Sequence, residues 1–401
     1  MPLPQPFRLL RTATAVSNLG DGVRLTALPL LATTITRDPR LIAGVAIADR
    51  LPWLVFILPG GAWADRTDRR LLRRRLDLVR AAVMATFVAL VLGHRVSIVA
   101  VYVVTAVIAS AEAVVDSSSM ALVPSLVIEA DLERAGGQLG SVELAANGLV
   151  GPPLGGLLLG FALAAPFVVD AASFALAAVI VGFIRGDHRP ERPPSPSSMR
   201  IDIADGVRWL WRHRQLRNLA LLSMLLGLVA FVGDAVFVLF ARQMLHVSGA
   251  GYGLLFVPSA LAGIAGSVLA ARLVNLDLRA VLGVATGIVG AATLLLAHVS
   301  SAVVAAVLLA VSTAGVVVWN VLTLALRQRL IPGPLLGRVG ASYRFLVLLA
   351  MPLGAVLGGV IAERFGVVAA LTVAGVAMVL IAGVVPLVIA TPPDPTGDLA
   401  S

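Results

Sequence analysis

The chain has 401 residues, 59 % apolar and only 13 % charged, which is more apolar surface than a soluble core of this size can bury, so the surplus must face lipid. Its formal charge of +9 rests on 31 Arg and no Lys; these sit in short loops between apolar stretches, which excludes a nucleic-acid surface, and without Lys there is neither a nucleotide P-loop nor a Schiff-base amine. With no Cys and five scattered His, disulfides, thiolate chemistry and a metal site are excluded too, and no cofactor is expected.

A helix needs about 20 apolar residues to cross a hydrocarbon layer of roughly 30 Å. Twelve segments meet that need, at 9–34, 41–64, 76–93, 97–123, 135–162 and 165–184, then at 218–241, 251–272, 279–298, 301–326, 336–361 and 366–390. The first has no small-residue cleavage pattern, so it reads as a retained helix rather than a signal peptide. Between the two sets of six, 185–217 opens on Arg, Pro and Ser and continues as IDIADGVRWLWRHRQLR, with apolar residues at helical spacing. That pattern predicts a flexible linker and then a helix lying on the membrane surface. The expected class is an all-α membrane protein: an N-terminal six-helix bundle over 1–184, a cytoplasmic linker over 185–217 and a C-terminal six-helix bundle over 218–401.

Arginine placement predicts the orientation. With both termini inside, cytoplasmic segments hold 23 Arg, outer loops five (Arg37, Arg40, Arg95, Arg242, Arg364) and helix interiors three (Arg24, Arg50, Arg344). The cytoplasmic excess places both termini in the cytoplasm of a multi-pass protein in a bacterial inner membrane.

The halves resemble each other. Gly20-Asp21 in the first segment matches Gly233-Asp234 in the seventh, and Gly151-Pro152 through Gly155-Gly156 in the fifth matches Met351-Pro352 through Gly358-Gly359 in the eleventh. Such six-plus-six duplication is the mark of a secondary transporter. One copy of it already supplies a complete pore, so a monomer is expected.

Between the second and third segments stands Gly61-Ala-Trp-Ala-Asp65-Arg66-Thr-Asp68-Arg69-Arg70. Glycine permits close helix approach, and Asp65 can accept from a helix N-terminus or pair with an Arg, so the loop reads as a gating latch or, more plainly, as a topology-fixing basic loop. In the fifth segment, Pro152 removes a backbone donor while Gly151, Gly155 and Gly156 thin the helix, which combines a bend with tight packing.

The loop resembles the signature Gly-x-x-x-Asp-Arg-x-Gly-Arg-Arg of the major facilitator superfamily, with Asp68 where the signature has its second Gly. The surrounding DRLPWLVFILPGGAWADRTDRR, the early SNLGDGVRLTALPLL and the later VDAASF resemble its enterobactin-exporter-like, multidrug-efflux branch. Gly151-Pro152-x-x-Gly155-Gly156 resembles the end of the superfamily's antiporter motif, although Gln138 and Asn147 stand where that motif has Gly. The resemblance implies two six-helix bundles, alternating access and export.

Ionisable residues within apolar segments are costly and are therefore functional candidates: Asp21, Arg24, Asp49, Arg50, Glu112, Asp116, Glu143, Asp234 and Arg344. Asp21 and Arg50 lie at similar depth, about 20 Å from the cytoplasmic end at roughly 1.5 Å per residue, so a pair between them is expected, either as a proton site or as a static bridge. Glu112 and Asp116, four apart, share one face of the fourth segment, and Glu143 on the fifth lies at similar depth; clustered carboxylates can retain a proton near neutral pH, and pairing with Arg is the alternative. Arg344 occupies nearly the repeat position of Glu143, so the two are expected to face one cavity. Asp234 is expected to lack an Arg at its depth, and Asp170 reads as structural. Phe231, Phe237, Phe240, Trp319, Asn320 and Tyr343 are candidates for the cavity wall.

The leading function is proton-coupled efflux of a lipophilic or amphipathic small molecule such as a drug, siderophore or metabolite. A proton-coupled importer or a lipid flippase on the same scaffold is the alternative, separated by flux direction in inside-out vesicles. Neither a selectivity-filter loop nor a nucleophile and base pair supports a channel or an enzyme.

Overall fold

A computed structural model describes residues 3–64, 66–186, 188, 199–332 and 335–389. Asp65 of the loop motif and much of the predicted linker lie outside the described residues.

The first half consists of α1 (Gln5–Ile35), α2 (Pro39–Ala64), α3 (Arg69–Leu92), α4 (Ile98–Leu122), α5 (Leu132–Glu143), α6 (Gly151–Phe161) and α7 (Ala165–Gly182). A further helix, α8 (Met199–Arg212), precedes α9 (Arg214–Asp234), α10 (Phe237–Gln243), α11 (Gly249–Leu254), α12 (Val257–Leu273), α13 (Leu278–Leu296), α14 (Ala302–Leu330), α15 (Leu336–Phe365) and α16 (Val367–Val388). Starts are fixed by side-chain caps: Asp68, Ser97, Asp277 and Ser301 each accept from a backbone amide two or three residues on. Gly366, at φ 89°, joins α15 to α16 through a single residue in a backbone conformation that side chains disfavour.

Three predicted spans are divided rather than continuous. The fifth comprises α5, a π-helical turn over Leu144–Val150, and α6; Pro152 and Pro153 lack amide donors, and the wide turn just before them absorbs the mismatch. The seventh breaks after Gly233-Asp234 into α9 and α10, and the eighth breaks ahead of Pro258 into α11 and α12. Among the described residues nine helical stretches are long and apolar enough to cross a membrane, from Ile98–Ser125 to Val367–Val388. α1, α2 and α3 have spanning lengths of 31, 26 and 24 residues, but each carries an acid and an Arg within its length. Side chains such as Val303, Phe161 and Leu387 stand 74 %, 94 % and 84 % exposed, a surface that only lipid or a partner would cover.

Within the first half, α1 packs on α6 and α7, α2 on α4, and α3 on α4 and α7; within the second, α9 packs on α15 and α16, α13 on α14 and α16, and α12 on α14. The duplication seen in the sequence is physical. Gly151 meets Gly22 and Gly155 meets the Val23 carbonyl where α6 crosses α1; Gly354 meets the Leu228 carbonyl and Gly358 the Val232 carbonyl where α15 crosses α9. Both pairs share one offset, 203 residues from 151 to 354 and from 155 to 358. A Cβ at Gly155, Gly354 or Gly358 would stand 2.1–2.4 Å from a backbone oxygen, so these crossings require glycine.

The halves touch through the same repeat. Gly156 lies against the Gly249 carbonyl and Gly253 against the Pro152 carbonyl, joining α6 to α11; Gly359 packs on Arg40 and Ala43, joining α15 to α2. Gly156 and Gly359 are again 203 apart. Arg40 adds an ion pair to Glu363 at 3.1 Å across the second seam. Arg40 and Ala43 stand at the start of α2, Gly359 near the end of α15, and Gly249 and Gly253 in α11.

Candidate functional site

The first half encloses an ion cluster built from α1, α2, α3, α4 and α7. Arg24, fully buried, is 3.2 Å from Asp21, 3.2 Å from Glu112, 3.5 Å from Asp170 and 3.8 Å from Asp49. Arg80 grips Asp21 with one nitrogen at 2.7 and 2.8 Å from its two oxygens, reaches Asp77 at 3.3 Å and Ser17 at 3.1 Å, and lies 3.8 Å above the Phe174 ring. Arg73 pairs with Asp77 at 3.6 Å and donates to Thr14 and Ser119. Beside them is a polar cavity of about 60 Å³ walled by Asp21, Glu112, Asp116, Glu143, Arg73 and Arg80, among others, with room for water. Glu143 at its rim is exposed, Glu112 and Asp116 are half-buried, and Asp21 and Asp170 are buried, so the carboxylates form a graded series from surface to interior.

The structure thus gathers Asp21, Glu112, Asp116 and Glu143, but it pairs them differently from the expectation. Asp21 faces Arg24 and Arg80, not Arg50, because α2 turns Arg50 outward: its Nε lies 3.4 Å from Asp49 and its guanidinium 5.8 Å from the Phe231 ring. Asp49 sits between Arg24 and Arg50. Arg80, Asp21, Arg24, Asp49 and Arg50 therefore form an unbroken line of alternating charge from the cluster to the space between the halves. Asp170, read as structural at the rim of its helix, is a buried member of the cluster. Arg73 and Arg80, counted among the cytoplasmic arginines, both lie within α3: the helix begins at Arg69, ahead of the predicted 76, and Arg80 falls inside the predicted segment in any case. Arg73, Asp77 and Arg80 recur at steps of four and three, one helical face, and that spacing is the signal in the sequence that marks them.

A second cavity, of about 770 Å³, opens between α2 and the second half. Phe231, Trp319, Asn320, Tyr343 and Arg344 line it, as do Asp234 and, from the other half, Arg50 and Trp53. Asp234 therefore does share its surroundings with an Arg, supplied across the interface by Arg50. Arg344 and Glu143 line different cavities and do not face one another. Phe237 lies outside this cavity: it stacks on Phe240, tilts against Tyr252 and meets Phe256 edge-on, at 6.1, 5.9 and 6.0 Å, and borders a void of about 240 Å³ that Asp234 also lines. Phe240 is fully buried behind it. Asp234 accordingly stands between the large cavity and the smaller void.

In the loop motif, Asp68 caps α3 by accepting from the Leu71 amide at 3.1 Å, so a residue out of place in the signature has a local role. Arg69 donates to the Ala121 carbonyl at 2.9 Å and Arg70 to that of Ile184, which ties the loop to the ends of α4 and α7. Arg66 is exposed in the turn, and Gly61 is in the last turn of α2. At the fifth span, Gly151 and Gly155 serve the crossing with α1, while Gly156 and the Pro152 carbonyl serve the seam with α11.

The comparisons agree with this architecture. The multidrug efflux pump Tap of Mycobacterium tuberculosis (strain ATCC 25618 / H37Rv) is 28 % identical over 228 residues, 55 % of this chain and 54 % of that protein, so the match spans about half the length of that curated relative. Macrolide efflux protein A of Streptococcus pyogenes is 23 % identical over 388 residues, 95 % of each chain. The crystal structure of the nucleoside transporter NupG superposes with a TM-score of 0.78 over 96 % of this chain and 100 % of that one; at 11 % identity the likeness is one of fold. The sequence model of a family described as transmembrane secretion effector matches residues 2–401. The chain therefore belongs to the transmembrane secretion effector family, a branch of the major facilitator superfamily of membrane transporters.

Proposed function

We propose that this transporter expels an amphipathic small molecule in exchange for protons, working as a monomer by alternating access in a bacterial inner membrane. Both termini and the 185–217 linker with its surface helix lie on the cytoplasmic side, and 1–184 and 218–401 rock as two bodies. In that orientation the seams at Gly156 and Gly359 close the outer face and the large cavity opens inward, ready to load from the cytoplasm. The efflux names of Tap and macrolide efflux protein A support export.

One observation carries the proton coupling: charge imbalance. Around the first-half cluster Asp21, Asp49, Asp77, Glu112, Asp116, Glu143 and Asp170 share Arg24, Arg50, Arg73 and Arg80. More carboxylates than guanidinium groups in a membrane interior are held only if the surplus is neutralised, and bound protons do this at least cost. Asp234, alone among acids on the large cavity, is the counterpart in the second half. Arg50 links the two, since anything that draws it toward the cavity loosens Asp49 from one partner and leaves it to Arg24.

The test is substrate-driven proton flux in proteoliposomes, with Asp21, Glu112, Asp116, Glu143 and Asp234 replaced one at a time by the amide. At least one replacement is expected to abolish uphill transport while downhill exchange persists. Undiminished coupling in every variant rejects the reading, and net uptake by right-side-out cells rejects export.

A further inference from the structure

The large cavity is electrostatically one-sided. Three guanidinium groups, Arg50, Arg327 and Arg344, face a single carboxylate, Asp234. Arg50 has Asp49 at 3.4 Å, but neither Arg327 nor Arg344 has a carboxylate within ion-pair distance among the described residues. Arg327 instead donates to the Thr323 carbonyl at 3.3 Å and lies 4.1 Å above the Tyr343 ring. The two cations, on α14 and α15, repel each other across the cavity mouth. Arg344 is exposed and Arg327 half-buried, so water solvates both when the cavity is empty, and an acid group on a ligand meets two cations that hold no carboxylate of their own.

The rest of the wall is apolar and aromatic. Trp53, Phe231, Trp319 and Met351 border the deeper part, and about 770 Å³ is the size of a drug-like ligand. We propose that the cavity selects amphipathic anions: an aromatic or other apolar body bearing a carboxylate, sulfonate or phosphate. The acid group bridges Arg327 and Arg344, whose planar forks match it in two-point geometry, and the body lies on Trp319 and Phe231. A cationic ligand of the same shape meets repulsion at the mouth and finds only Asp234, which Arg50 already attends.

This inference rests on the large cavity being the transport site. The test is calorimetric titration of the purified full-length protein in detergent with three matched probes, 1-naphthaleneacetate, 2-(1-naphthyl)ethanol and 2-(1-naphthyl)ethylammonium. The acetate is expected to bind at least about tenfold more tightly than the ammonium, a difference near 1.4 kcal/mol. Arg327→Gln and Arg344→Gln are each expected to weaken the acetate about tenfold and leave the alcohol unchanged, which also shows that the variants are folded. Equal affinity for the three probes, preference for the ammonium, or acetate affinity untouched in both variants overturns the anion selectivity and leaves proton-coupled export standing. Failure of all three to bind overturns the cavity as the site and the inference with it.

Discussion

Arg24 touches carboxylates from four helices, and Arg80 doubles its hold on one of them. Removing either partner of a buried ion pair is far more damaging than the pair is stabilising, because the remaining charge is left without water or partner. Arg24→Ala is expected to cost about 3–5 kcal/mol in detergent thermal unfolding, and Arg24→Lys to recover less than half of it, since one ammonium cannot reach Asp21, Glu112, Asp49 and Asp170 together. Glu143→Gln, at the exposed rim, is expected to leave stability within about 0.5 kcal/mol. The acids of this cluster are legible in the sequence because a carboxylate in an apolar stretch is conspicuous. Their partners are not: depth along a helix says nothing of azimuth, so Asp21 was matched with Arg50 when the chain supplies Arg24 one turn further on and Arg80 from α3. Arg73 and Arg80 are obscured because the arginine run from 69 to 75 reads as a basic loop, whereas it forms the first turns of α3.

At the scale of elements, glycine decides what can approach what. Gly358→Ala forces a methyl to within 2.2 Å of the Val232 carbonyl and Gly155→Ala one to within 2.4 Å of the Val23 carbonyl; each is expected to separate its crossing and to lower the unfolding temperature. Gly156→Ala places its methyl 2.3 Å from the Gly249 carbonyl, across the seam, and should open that seam. With no native Cys, a single cysteine introduced near Leu159 reports that opening as faster labelling by an impermeant maleimide. The other seam carries the Arg40 ion pairs, to Asp38 at 3.0 Å and Glu363 at 3.1 Å. The hydrogen bond from Arg40 holds the Asp38 carboxyl below its usual range, so its contribution is complete above the ordinary carboxylate pKa of about 4 and is lost as pH falls through the depressed value. Because Asp38 and Arg40 belong to the same half and the Glu363 pair is the one that crosses the seam, labelling there is expected to stay unchanged as Asp38 protonates, and Arg40→Ala to raise it at neutral pH. The interruption at Pro152 is readable from the Pro and Gly of the motif; the π form of the turn over Leu144–Val150 is not, because a missing donor does not fix how the preceding turns widen. The breaks after Asp234 and before Pro258 were equally invisible to hydropathy, which averages over them.

Across the whole molecule, the all-helical class, the duplication and the broad position of the cavity follow from hydropathy, repeats and aromatic placement. Phe231, Trp319, Asn320 and Tyr343 were recognisable as wall residues, while Phe237, one helical break away, turns into an aromatic stack instead. The cavity is also lopsided: apart from Arg50 and Trp53, its lining residues come from the second half, whereas the crowded ion cluster belongs wholly to the first. Under the proposed mechanism ligand preference is set mainly by the second half and most of the proton-binding carboxylates belong to the first, with Arg50 between them. A hybrid taking residues 1–184 from this chain and the remainder from a relative with different cargo should inherit the relative's resistance profile and keep this chain's acid dependence. Selection for a new cargo would then act on the cavity walls of α14 and α15, leaving the first-half cluster and Asp234 on α9 in place.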